Sequence, residues 1–270
     1  GAGCTAVGST HIYSGTSGWV GTVMDHQAVD LTAMIAGIVG AEKGKYNYFA
    51  EMETAGKCFE WVKDHLVLDE VNVYLSKTDV AESQESVYES LYDYMSDTVA
   101  QVAPGSGGVI FTPWLHGNRC PFEDPNARGM FFNISLETGK TELIRAVVEG
   151  TCMHLRWFLE TEDKKTKTSD VLRFVGGGAL SDVTCQILAD CTGRTVEVVA
   201  SPQNVGAVGA AVISAVGLGM IGSIEEAKKL VPAKKTFIPN PSLKPIYDKN
   251  FAVFKNLYKS NKENFEALNG

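Results

Sequence analysis

No apolar run in this 270-residue chain approaches the about 20 residues that a membrane-spanning helix needs, which excludes a helical span. Positive charge is short: 24 lysines and arginines face 32 acids, and the net charge of −8 argues against a general nucleic-acid binder. The six cysteines (4, 58, 120, 152, 185 and 191) contain no C-x-x-C pair, and the five histidines (11, 26, 65, 116 and 154) show no metal-ligand spacing. A disulfide frame and a zinc site are thereby excluded, and the cysteines read as reduced core thiols of a cytosolic protein. The glycine triplet at 176–178 lacks the Rossmann spacing G-x-G-x-x-G, and solenoid repeats and low-complexity tracts are absent from the chain.

What remains is an ordinary globular composition, 44% hydrophobic and 21% charged, with enough length for one large domain or two small ones. The charge is unevenly spread. Residues 51–100 carry twelve acids against three lysines, and residues 228–262 carry nine lysines. Each block reads as a solvated face.

The most informative stretch is VLRFVGGGALSDVTCQILADCTGRTVEVVASPQNVGAVGAAVISAVG, residues 171–217. Val171 to Val175 reads as a buried strand. Gly176 to Gly178 follow, and a helix begins near Ser181, a good N-cap, with Asp182 suited to the positive end of its dipole. Strand, glycines and helix start can hold a nucleotide, because bare backbone N–H groups approach a ligand closely. An αβ turn using glycine for positive φ is the other reading, and the glycines alone leave both open.

The surrounding residues add a resemblance. GGGA, then QILAD, then GAVGAAVISAVG is similar to the nucleotide-side signature of the FGGY family of carbohydrate kinases. The resemblance runs from Gly1 to about Ile221. It implies an α/β fold, an actin-like (ribonuclease-H-like) ATPase lobe with a mixed sheet flanked by helices. It also implies ATP and Mg²⁺ as cofactors and a sugar or polyol as the acceptor of the γ-phosphoryl group.

Other segments fit that frame. Thr10–Ser14 and Trp19–Met24 read as a hairpin turned by Gly15, Thr16, Ser17 and Gly18, which resembles the family's second phosphate loop. Residues 28–40 form an apolar stretch ended by Gly37 and Gly40. Glu51–Leu66 reads as helical, with Phe59, Trp61, Val62 and Leu66 on one face. In it Gly56 resembles the start of a helix beside the nucleotide, and Glu60 a polar adenine contact, with an exposed helix carboxylate as the alternative. Gly177, Gly178, Ala179 and Asp182 would line the adenosine, with the glycine triplet facing the nucleoside. Val87, Leu91, Tyr94, Met95 and Thr98 fit one helix face. Val109–Trp114 and Phe131–Ser135 read as strands. HGNRCPFEDPNARG (116–129) resembles a family loop, with Asn118 where a glutamate is common, and Arg119, Asp124 and Arg128 are expected to form an ion-paired knot. RAVVEG resembles another signature on a strong helix, Thr141–Glu160, where Arg145 and Glu149 are placed to pair. Asn204–Gly217 reads as a helix of small residues for close packing, and Glu225–Leu230 as a short helix. Prolines 232, 239, 241 and 245 mark an extended arm before an amphipathic helix, Ile246–Leu268.

The expected organisation is one lobe over residues 1–231, with the arm and last helix of 232–270 packed on it. The chain opens Gly1-Ala2-Gly3, partway into a glycine pattern that in the family follows the aspartate base. The first aspartate in the numbering is Asp25, beyond the phosphate loop, so it does not correspond to that base. The expectation is the C-terminal lobe of a xylulokinase-like enzyme, cut just after its catalytic base, with a missing N-terminal lobe that would carry most of the sugar pocket and the Mg²⁺ ligands. A homodimer is common in the family. The alternative is a non-catalytic nucleotide-binding or sensor module of the actin-like superfamily.

Overall fold

The computed structural model describes residues 1–67 and 90–270. An eight-stranded mixed sheet grows outward from one hairpin. Strands β1 (Thr10–Ser14) and β2 (Gly18–Met24) pair antiparallel, Ser14 opposite Gly18. Beyond β2 lie three further antiparallel strands in a meander: β5 (Tyr46–Met52), β4 (Ile35–Val39) and β3 (Val29–Asp30). Beyond β1 lie β8 (Val171–Val175) and β9 (Thr195–Val199), both parallel, and β10 (Ala233–Phe237) closes that edge antiparallel. A separate ribbon joins β6 (Ile110–Thr112) to β7 (Met130–Phe132). The expected strands at Val109–Trp114 and Phe131–Ser135 are therefore present but shorter.

The strands alternate as a half-covered sheet requires. Thr10, Ile12 and Ser14 are buried, while His11 and Tyr13 between them are half-buried. The covered face carries the core, with Ile12, Val20, Tyr48, Leu172, Phe174 and Val196 all inaccessible or nearly so.

Six α-helices lie among the described residues: α1 (Gly56–Val62), α2 (Leu91–Gln101), α3 (Lys140–Glu162), α4 (Asp182–Thr192), α5 (Val205–Gly217) and α6 (Lys244–Asn269). Glu51 and Met52 end β5, so the helix expected over Glu51–Leu66 starts only at Gly56 and runs on into a π-helical turn, Lys63–Val67. On α2, Met95 and Thr98 are buried as its pattern predicts, and Val87 lies outside the described residues. The α3 helix is buried far beyond one stripe, because it touches the sheet on one side and α1, α2 and α4 around it. Residues 232–270 do not simply stretch as an arm: β10 joins the sheet, and α6 buries Tyr247, Phe251, Phe254, Leu257 and Phe265.

Two buried polar arrangements hold this core. Arg145 Nε meets Glu149 Oε1 at 2.7 Å, as the i, i+4 spacing predicts. Trp114 Nε1 donates to His154 Nδ1 at 3.3 Å, inside a ring of Phe122, Phe254, Tyr258 and Phe265. The knot expected of Arg119, Asp124 and Arg128 does not form. Arg119 leaves the loop to pair with Glu51 and Glu53, at 2.7 and 3.1 Å, and Arg128 donates to the carbonyls of Pro125 and Ala127. Asn118 organises the loop instead, its Nδ2 donating to the carbonyls of Cys120 and Phe122. All six cysteines are free, five of them buried. The α5 helix is apolar and yet has no buried residue, and Ile213 with Leu218 beyond its end stands exposed.

Candidate nucleotide site

A cavity of about 540 Å³ opens where several of these elements meet. At one end stands the β1–β2 turn. The Gly15 amide donates to Ser17 O at 2.9 Å, closing a tight turn that presents Thr16 to solvent. The Thr16 hydroxyl has no hydrogen-bond partner among the described residues. The first amides of α1 brace the turn from behind: Ala55 and Lys57 donate to Thr16 O, and Gly56 donates to Gly15 O at 2.7 Å. Gly56 is required there, since a Cβ would lie 2.4 Å from Gly15 O. These α1 amides are spent on the turn and are not open to a ligand.

The glycine triplet forms the opposite lip, and its three members differ. Gly176 has a φ of 93°, and its amide donates to Pro202 O at 2.8 Å. A Cβ on Gly178 would meet the Ser14 side chain at 2.8 Å, so Gly178 backs onto β1. Only Gly177 of the triplet faces open space. Gly176 and Gly178 let β8 and its turn press against Ser14, while Gly177 and Gly178 line the cavity.

Beyond the glycines, Ser181 caps α4, its hydroxyl accepting from Thr184 N, as its sequence position predicts. The same hydroxyl accepts from Ser96 Oγ at 3.2 Å, tying α2 to α4 across the cavity. Lys57 and Glu60 pair at 2.6 Å on the rim, and the carboxylate's hydrogen bond lifts the Lys57 ammonium above its usual range. Asp93 also lines the wall, and it takes the Ser90 hydroxyl at 2.8 Å beside the N-cap of α2. The floor is apolar, built by Val147, Val148, Cys152 and Leu155 of α3 with Phe174 of β8. Burial pushes the Cys152 thiol well up, so it stays neutral and serves as an apolar lining group.

Of the ten residues singled out in the sequence, the structure brings Gly15, Thr16, Gly56, Glu60, Gly177 and Gly178 to this cavity. The other four are placed differently. Ser17 and Gly18 turn away into the hairpin, where a Cβ on Gly18 would meet Ala55. Ala179 is buried beneath the lip. Asp182 points outward and pairs with Lys235 at 2.6 Å. Sequence reasoning missed Ser14, Ser96, Ser181 and Thr184 as lining hydroxyls, and it read the two valines of RAVVEG only as core. Their signal was their place within the flanking motifs.

Fold and cavity together define an actin-like, ribonuclease-H-like ATPase lobe: a mixed sheet, a hairpin turn at one lip and a glycine lip facing it. Residues 11–218 match the C-terminal domain of the FGGY family of carbohydrate kinases, and the chain belongs to that family. Xylulose kinase from Lactococcus lactis subsp. lactis (strain IL1403) is 34% identical over 175 residues, 64% of this chain and 35% of the relative. A ribulokinase from Bacillus licheniformis is 28% identical, covering 83% of this chain and 41% of its own length. The crystal structure of ligand-bound xylulose kinase from Lactobacillus acidophilus superposes with a TM-score of 0.83 at 25% identity, over 99% of this chain and 50% of that one. The chain thus spans about half the length of these relatives, or less.

Proposed function

We propose that this chain is the C-terminal, nucleotide-binding lobe of an ATP-dependent sugar kinase of xylulokinase type. The observation that carries the reading is the polarity of one cavity: an apolar floor, a wall of hydroxyls, and the Gly15–Thr16 turn at one end. An adenine nucleotide has the same polarity. Its base suits the floor and Leu180, and its phosphates suit the turn, where Thr16 offers a free hydroxyl beside backbone donors.

Phosphoryl transfer breaks the bond from the γ-phosphorus to the bridging oxygen of ATP and forms one to a sugar oxygen; the hydroxyl proton passes to a base, and ADP leaves. Catalysis in such a reaction is mostly positioning and charge stabilisation. This lobe holds the donor. Glu60 is paired with Lys57 and Asp93 with Ser90, and neither is assigned as the base. Among the described residues no three His, Cys, Asp or Glu side chains gather to hold a metal. Mg²⁺ would come with the nucleotide, bound through phosphate oxygens and water, where it neutralises phosphate charge. The uncovered apolar surface of α5 and the half-length match to the relatives both support a second lobe packed alongside.

The test is an assay of the intact protein containing this lobe with ATP and xylulose, ribulose, gluconate or glycerol. Transfer to at least one acceptor is expected. ATP binding without transfer to any of them would leave a non-catalytic module as the reading.

A further inference from the structure

The RAVVEG motif supplies the cavity floor through its valines, but its two charged residues touch no part of the cavity. They are nevertheless buried, with Arg145 5% and Glu149 1% exposed, and a dense set of hydrogen bonds joins them to their surroundings. Arg145 Nη1 donates to the carbonyls of Val99 and Val102, at 2.8 and 2.9 Å. Its Nε holds Glu149, and its Nη2 reaches Tyr247 Oη at 3.3 Å. Glu149 accepts in turn from Tyr247 Oη, from Ser106 Oγ at 2.8 Å and from the Gly105 amide at 3.0 Å.

The geometry makes Arg145 the C-terminal clasp of α2. The last carbonyls of a helix lack partners within it and favour a positive charge. No basic residue of α2 itself lies in its last turn. The chain then turns sharply, Gly105 and Ser106 both at positive φ, which brings their donors onto Glu149. Arginine suits the position because its planar fork can serve two carbonyls, a carboxylate and a phenol at once; a lysine ammonium is a single point.

The consequence is for the cavity. The α2 helix forms one wall through Tyr92, Asp93 and Ser96, and α3 forms the floor beginning two residues past Arg145. One side chain therefore fixes the wall to the floor. We propose that Arg145 is a positioning residue for the nucleotide: it acts through α2, setting the width of the cavity without touching the ligand. This rests on the nucleotide reading above.

The test compares wild type with Arg145→Lys, which keeps the charge beside Glu149 and loses the fork. ADP affinity is measured by calorimetry, and amide hydrogen exchange is followed across the whole chain. The expected result is about a tenfold weaker ADP affinity, with faster exchange in α2 and residues 102–108 and unchanged exchange in β1, β2 and β8. Should the lysine variant lose its cooperative thermal transition, the double variant R145M/E149M leaves no charge buried alone and supplies the same comparison. ADP affinity equal to wild type in a folded variant would overturn the positioning role and leave the nucleotide reading standing. Failure of wild type itself to bind ADP would overturn both.

Discussion

Gly56 faces Gly15 so closely that its amide donates to the Gly15 carbonyl at 2.7 Å, and a methyl group on its Cα would sit 2.4 Å from that oxygen. The β1–β2 turn and the start of α1 are therefore one rigid unit. Gly56→Ala should push the turn away from the helix. We expect a stability loss of about 1–3 kcal/mol, typical of overpacking, together with weaker ADP binding. Urea unfolding and calorimetry on the same variant check both; unchanged ADP affinity would mean that the turn takes no part in holding phosphate.

Thr16→Val keeps the shape of the turn and removes the free hydroxyl at its tip. Because Thr16 is exposed, stability should change little. If the intact protein is the kinase proposed above, one lost hydrogen bond of about 0.5–1.5 kcal/mol should lower kcat at saturating sugar more than it raises the KM for ATP. Kinetics within about twofold of wild type would show that this is an ordinary hairpin turn.

Two buried groups give opposite pH dependence. His154 accepts from Trp114 at Nδ1 and donates from Nε2 to the Cys120 carbonyl at 2.9 Å, roles that need the neutral ring, and burial lowers its pKa to about 4. The unfolded chain binds that proton first, near pH 6.5. His154 therefore adds stability above about pH 6.5 that is lost as the pH falls through about 4. Between about pH 7 and about pH 5 its share of the loss is about 2 kcal/mol, and a His154→Gln variant should lack that slope. An identical slope in the variant would contradict the assignment.

Glu162 works the other way. It is fully buried, Thr22 Oγ1 donates to its Oε2 at 2.6 Å, and burial raises its carboxyl well above the usual range. Its protonated form adds stability that is complete below the unfolded carboxyl value, near 4.5, and is lost as the pH rises through the folded one. Glu162→Gln should stabilise the protein at about pH 8, by about 1–3 kcal/mol, with the gap closing towards about pH 4.5. Urea midpoints at the two pH values decide it, and a variant less stable at the higher pH would refute this sign.

The isolated 270-residue chain should transfer no phosphate to xylulose, ribulose, gluconate or glycerol. Among the described residues no unpaired carboxylate stands at the turn end of the cavity. Product above a control lacking protein would contradict the expectation that the base lies outside these 270 residues.

Much of this site was legible because glycine requirements are local. The hairpin and the turn at Gly176 each follow from a turn that only a bare backbone permits, whereas the helix expected from Glu51 begins at Gly56, which only the family resemblance marks. What was not legible depends on distant partners. Val147 and Val148 line the cavity with the same spacing that would line a core, so periodicity does not separate the two. Asp182 sits at a helix start that suits an anion, yet Lys235, 53 residues on, turns it outward. Arg119 pairs with Glu51 across 68 residues, which left the expected knot with Asp124 unmade.

The central claim is that one cavity binds an adenine nucleotide with its phosphates at the β1–β2 turn. A crystal structure of this chain with ADP and Mg²⁺ tests it most directly. The account predicts the adenosine between Gly177 and the wall of α2, and the β-phosphate within hydrogen-bonding distance of the Thr16 hydroxyl. ADP bound elsewhere, or with its phosphates remote from Thr16, would contradict it.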